Sequence, residues 1–209
     1  MIETWRWFGP KDKVTLSDIR QTGASGIVTS LYHLEPGIVW KKEEISSRLT
    51  EITGSKSQPT HLSWEVVESL PVSETIKTGS HPRDEHIKAW IESMENLSEL
   101  GINVICYNFM PILDWTRTEL AAPMSSGATA MYFDLLDFIA FDCFILERIN
   151  AQNDYEKHLV DKAKDRFESF STEKKLLLTR NITAGLPGAG ENLTFGEVKT
   201  RLEGYSGID

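Results

Sequence analysis

The chain has 209 residues, 40% hydrophobic and 25% charged, which is the composition of a globular protein and not of a disordered segment. Its net charge of −9 offers no basic face to nucleic acid or an acidic membrane, because counterion release would favour neither. The longest apolar segment, YFDLLDFIAFDCFIL, is interrupted by Asp134, Asp137 and Asp142, and residues 1–12 lack a basic and then apolar leader, so the expected compartment is the cytoplasm.

Short β-like runs alternate with helical patterns from the start. TWRWF (residues 4–8) precedes TLSDIRQTG, where Thr15 and Asp18 have capping-box spacing and Gly23 is a stop. GIVTSL (26–31) is followed by a helical pattern in KKEEISSRLTEI, with Ile45, Leu49 and Ile52 on one face. LSWEVVES (62–69) reads as a third strand. PRDEHIKAWIESMENLSELG then reads as a helix opened by Pro82 and closed by Gly101, with Ile87, Trp90, Ile91, Met94 and Leu97 as its apolar stripe. INVICYNFM (102–110) is a fourth strand, and its unbroken apolar character predicts burial on both faces of a parallel sheet.

The pattern changes after Pro111. Helical segments are expected near residues 133–149, 155–170, 172–184 and 194–202, with a turn-rich break at GLPGAGE (185–191) and no fifth strand. Four βα units followed by helices give an α/β protein organised as 1–111 and a mainly helical 112–209. A closed barrel of eight such units takes about 250 residues, so the four visible strands read as half of one.

In parallel α/β architectures, ligands gather at the C-terminal strand ends. There the sequence offers Arg6, then Tyr32 and His33, then Glu68, and finally Tyr107, Asn108, Asp114 and Arg117. Arginine holds carboxylates bidentately, while Glu and Asn address hydroxyls, so the expected ligand is anionic and rich in hydroxyl groups. Each residue also has a plain structural alternative: Arg6 packed between tryptophans, His33 idle in a loop, or Asp114 and Arg117 paired only with each other. No metal ligands are expected, since the histidines lack HxxxH spacing and the two cysteines form no CxxC. Cys106, within the apolar run, is expected to be a small buried hydrophobe. GLPGAGE lacks the Lys-Ser/Thr of a P-loop, and no GxSxG is present.

Five segments, TWRWFGPKDKVTL, GIVTSLYHL, WEVVESLPVSETIKTG, CYNFMPILDWTRTEL and LTRNITAGLPG, closely resemble in order and spacing the N-terminal half of the mannonate dehydratase family. The resemblance implies a TIM barrel of the xylose-isomerase-like kind. It also implies a lyase that removes water from D-mannonate to give 2-keto-3-deoxy-D-gluconate in hexuronate (glucuronate) catabolism, with Fe²⁺ or Mn²⁺. The family's metal ligands and acid/base residues lie in later motifs such as HPDDPP and RPDHG, which do not occur here, so this chain is expected to lack them and to be inactive by itself. Cys106 does not correspond to the family's ligand cysteine. Tyr32-His33 stands where the family usually has His-His, and SKSQPTH departs from the common pattern. Two other readings stay open: a different sugar isomerase-like barrel enzyme, and an inactive truncated half barrel. Unpaired edges of a half barrel would favour homo-oligomers.

Overall fold

The computed structural model describes residues 1–113, 115–184 and 193–208, and the chain divides into two compact units, Met1–Pro111 and Ile112–Asp209. Asp114 and the GLPGAGE segment lie outside the described residues.

The first unit is built on four parallel strands. β1 (Thr4–Arg6) leads into α1 (Leu16–Gln21), and β2 (Gly26–Thr29) into α2 (Lys42–Thr53). A two-residue ladder of β3 (Gly54–Ser55) and β4 (Gln58–Pro59) follows, then β5 (Ser63–Glu68). The short α3 (Glu74–Thr78) and long α4 (Arg83–Glu99) return the chain to β6 (Ile105–Cys106). The sheet order β1-β2-β5-β6 follows the chain, and every pair is parallel. Successive parallel strands with helical crossovers are the repeating unit of a TIM-like barrel.

Local chemistry explains the boundaries. Thr15 and Asp18 form the expected capping box, each side chain accepting from the other's backbone N–H at 3.2 and 2.9 Å. On α2, Ile45, Arg48 and Ile52 are buried, so a guanidinium shares the face that packs inward. The core joins Trp7, Ile27, Leu31, Trp40, Trp64, Val67 and Leu97 between sheet and helices.

Two expectations for this unit are corrected. On α4 the buried positions are Ala89, Ser93 and Leu97, while Ile87 and Ile91 are exposed. Ser93 is buried because its hydroxyl is satisfied twice, donating to the Ala89 carbonyl at 2.6 Å and accepting from the Trp40 N–H at 2.9 Å. The fourth strand shrinks to two residues, Val104, Tyr107 and Phe109 on either side of it are exposed, and Cys106 is exposed as well. An apolar run is buried only where neighbouring elements cover it, and β6 is the edge of the described sheet.

The second unit contains an antiparallel hairpin of β7 (Glu119–Pro123) and β8 (Thr129–Tyr132) that the sequence reading did not anticipate. α5 (Leu135–Ala140) runs directly into a π-helical turn, Phe141–Ile145, closed by the Leu146 N–H donating to the Phe141 carbonyl at 2.7 Å. After a 3₁₀ turn at Ala151–Asp154 come α6 (Lys157–Ser169), α7 (Thr172–Thr183) and α8 (Phe195–Glu203). Two small cores form here, one around Ile139, Cys143 and Ala163, the other around Phe141, Leu178 and Val198. Among the described residues no helix is long and apolar enough to cross a membrane.

Candidate functional site

Parallel pairing puts the C-terminal ends of the strands along one edge of the sheet. Arg6 closes β1 and Glu68 closes β5, with β2 between them. Their side chains meet over that intervening strand: Arg6 Nη1 donates to Glu68 Oε1 at 2.6 Å, with both side chains about one third exposed, at 30% and 35%. The pair is therefore reachable from solvent while fixed at both ends by the ladder.

The loop after β1 is held by hydrogen bonds on both sides. The Trp7 N–H donates to the Val28 carbonyl at 2.9 Å, and the Thr29 hydroxyl to the Trp7 carbonyl at 2.6 Å. Beyond it, the Asp12 carboxylate accepts from the N–H groups of Phe8 and Val14 at 2.8 and 3.0 Å. This turn places the Phe8 ring 5.2 Å from the Arg6 guanidinium carbon and 5.8 Å from the Tyr32 ring.

Tyr32 completes the cluster. Its hydroxyl reaches toward the Glu68 carbonyl at 3.5 Å, a weak contact, and it interacts with Arg6. Burial pushes the Tyr32 phenol above its ordinary pKa, against the opposing pull of Arg6, so it is a neutral donor and acceptor at neutral pH. Chemically, the edge presents one guanidinium, one carboxylate and one phenol under an aromatic flank, groups that can hydrogen-bond hydroxyls and pair with carboxylates.

The other candidates are placed differently. His33 Nε2 lies 2.9 Å from Glu44 Oε2, and both side chains are about half exposed, at 51% and 48%. The phenol that joins Arg6 and Glu68 is its neighbour Tyr32. Tyr107 is exposed and packs edge-on against Trp90, with centroids 5.7 Å apart. Asn108 follows it, partly buried. Arg117 is buried in the second unit, where Nη2 donates to the Ala184 carbonyl at 3.0 Å and Nη1 lies 3.6 Å from the Met131 sulfur. Sequence reasoning also passed over Phe8 and Arg48. The available signal for Arg48 was a charge lying between Ile45 and Ile52 on the apolar stripe of α2.

Among the described residues no three His, Cys, Asp or Glu side chains gather in a way that could hold a metal. The carboxylate at the strand ends, Glu68, is engaged by Arg6. The donor set of the described residues does not fit the Fe²⁺ or Mn²⁺ that the resemblance implies.

The comparisons with known proteins agree with this architecture. The sequence model of the family described as D-mannonate dehydratase (UxuA) matches residues 1–209. The chain is 46% identical over 208 residues to a mannonate dehydratase of Rhizobium meliloti (strain 1021) and 47% identical over 209 residues to mannonate dehydratase 1 of Agrobacterium fabrum (strain C58 / ATCC 33970). Both alignments take in all of this chain and 50% and 51% of the relatives, so the chain spans about half the length of the curated relatives it matches. The crystal structure of mannonate dehydratase from Streptococcus suis serotype2 superposes with a TM-score of 0.59 at 31% identity, covering 95% of this chain and 51% of that one. With a family model that matches its whole length and a solved mannonate dehydratase that superposes on 95% of it, the chain belongs to the D-mannonate dehydratase (UxuA) family.

Proposed function

We propose that this chain supplies the sugar-acid-binding strand ends of a cytoplasmic D-mannonate dehydratase, a hydro-lyase of hexuronate (glucuronate) catabolism. Its reaction converts D-mannonate to 2-keto-3-deoxy-D-gluconate and water. The observation that carries the reading is the Arg6–Glu68 pair at the C-terminal edge of the sheet of a family member.

Dehydration of a 2,3-dihydroxy acid requires loss of the proton beside the carboxylate and protonation of the departing 3-hydroxyl. Binding comes first, and here the residues have defined parts. Arg6 donates to the ligand's oxygens, Glu68 accepts from its hydroxyls, and Tyr32 can do both. Tyr107, Asn108 and His33 complete the proposed binding set of this unit, and Asp114 and Arg117 of the second unit are proposed as substrate contacts by the resemblance alone. No proton transfer is assigned to the described side chains, and the Fe²⁺ or Mn²⁺ of the family enters the proposal as chemistry that the described residues do not themselves hold.

Titration of the purified 209-residue chain with D-mannonate, followed by calorimetry and by NMR of the Arg6 and Tyr32 side chains, tests the binding role. Saturable shifts at those residues are expected, with D-mannonate bound more tightly than an uncharged hexose. Equal affinity for the two sugars, or shifts confined to other residues, overturns it. A dehydration assay with added Mn²⁺ on the same chain is expected to give no turnover, and measurable turnover would show that its own residues complete the chemistry.

A further inference from the structure

Arg48 is the buried charge of the first unit that the binding site does not use directly. It lies on the inward face of α2 between Ile45 and Ile52, and its side chain is only 8% exposed. One ion pair is formed, from Nε to Glu51 Oε2 at 3.1 Å, and Glu51 is 41% exposed. Nη1 is buried without a hydrogen-bond partner among the described residues. Burying a guanidinium with so few partners is costly, and an aliphatic side chain of similar length would fill the space at lower cost. The position therefore calls for a geometric reason.

That reason is the loop after β1. The Arg48 guanidinium carbon lies 5.2 Å from the Trp7 ring, so its plane supports the indole from the helix side. Its tip occupies the space beside Gly9, which sits at φ +88°: a Cβ built there would come within 2.6 Å of Nη1. Glycine is needed twice at this position, for the left-handed backbone and for the close approach of the guanidinium. Trp7 and Gly9 bracket Phe8, and Phe8 is the ring set against both Arg6 and Tyr32. A planar group that supports Trp7 and fits against Gly9 fixes the residue between them.

We propose that Arg48 is a positioning residue of the binding site: by bracketing the loop at Trp7 and Gly9 it sets the Phe8 ring, and through that ring the orientation of Arg6 and Tyr32 toward a sugar acid. The ligand class rests on the function proposed above; the positioning of Phe8, Arg6 and Tyr32 does not. Lysine in place of Arg48 would keep the charge but lose the flat face, and methionine would lose both.

Three variants of the 209-residue chain, Arg48→Met, Arg48→Lys and Gly9→Ala, test this by NMR of the Phe8 and Tyr32 rings and the Arg6 Nε–H, together with D-mannonate titration. Arg48→Met is expected to move all three sets of signals and to weaken binding by at least about fivefold, with Arg48→Lys restoring only part of each. Gly9→Ala crowds the guanidinium tip and also strains the left-handed backbone at Gly9, so it should move the same signals, and Arg48→Lys decides the question if Arg48→Met does not fold. Unchanged Phe8, Tyr32 and Arg6 signals in a folded Arg48→Met or Gly9→Ala chain overturn the proposal, and a lowered melting temperature with those signals intact does so equally. Should wild type bind no D-mannonate, the ligand reading fails, and the ring and Arg6 signals still decide whether Arg48 positions the loop.

Discussion

Arg6 and Glu68 are separated by 62 positions in sequence, yet Arg6 Nη1 lies 2.6 Å from Glu68 Oε1 across the end of β2. The contact exists because β1 and β5 each pair with β2 in parallel register. Replacing Glu68 by alanine should weaken D-mannonate binding at least about tenfold, the scale of one lost charge-assisted hydrogen bond. The same change should cost about 1 kcal/mol of stability or less, since an ion pair one third open to water is strongly screened. Calorimetric titration beside a thermal melt separates the two effects, and a loss of binding that only tracks unfolding would assign the pair to the scaffold.

In the second unit, Asp142 is 6% exposed and accepts from Arg148 Nε and Nη2 at 2.9 and 2.8 Å and from the Tyr155 hydroxyl at 2.8 Å. Asp142→Asn should destabilise the chain by about 2 kcal/mol, because it removes the buried carboxylate from this cluster, while Asp154, 2.7 Å from Arg148 Nη2, keeps the guanidinium paired. Tyr155→Phe removes one hydrogen bond and should cost about 1 kcal/mol. Denaturant melts of both single variants and the double variant check this, with non-additive losses expected from a shared carboxylate.

Asp134 gives the acid limb of stability a named contributor. Burial alone would raise its pKa, but hydrogen bonds from the Asp137 N–H, the Arg166 guanidinium at 2.8 Å and the Leu136 N–H outweigh it, and the net shift is downward. A carboxylate with a depressed folded pKa stabilises the fold above its unfolded pKa of about 3.9, and that contribution is lost as pH falls through the lower folded value. Urea midpoints should therefore be flat with respect to this group above about pH 5 and fall below about pH 4. Asp134→Asn should flatten that fall, and an unchanged acid limb in the variant would remove Asp134 from the account.

The sheet edges predict association of the isolated chain. Trp5 on β1 is 40% exposed, and Val104, Tyr107 and Phe109 around β6 are 53%, 57% and 58% exposed. Each of these strands has one partner in the described sheet, and an edge with apolar side chains recruits further strands. Light scattering after size exclusion at about ten micromolar should show dimers or larger species, and adding a charge with Val104→Lys should reduce them. A monomer that binds no hydrophobic dye would show that these residues are not an association surface.

Much of the first unit was legible because period and punctuation agree there. The Thr15–Asp18 box, the β-branched run at Ile27 and Val28, and Glu68 at the end of an alternating strand all declare themselves locally. Three features did not, each for its own reason. Ser93 lies on the buried line of α4 because two backbone groups satisfy its hydroxyl, and an apolar stripe search discards it. The β7–β8 hairpin is rich in alanine, whose weak β preference hides the alternation, and Ser126-Gly127 was the turn signal left to read. Tyr32 and His33 are adjacent, so the choice between them depends on how the chain leaves β2, which no local pattern records.

The π-helical turn at Phe141–Ile145 has an implication for how the second unit tolerates change in chain length. An i→i+5 turn carries one residue more than an α-helical one, and a residue is worth about 100° of rotation. α5 upstream and Leu146 downstream are thus out of phase by that angle, and the anchored charges are spread across the shift: Asp137, held by Arg166, precedes the turn, Asp142 lies within it, and its partner Arg148 follows it. Deleting a single residue between Cys143 and Ile145 would restore an unbroken α-helix, yet it would rotate the segment that leads to Arg148 away from Asp142. The extra residue is in effect a phase shifter, and helix regularity and charge pairing cannot both be optimised along this segment.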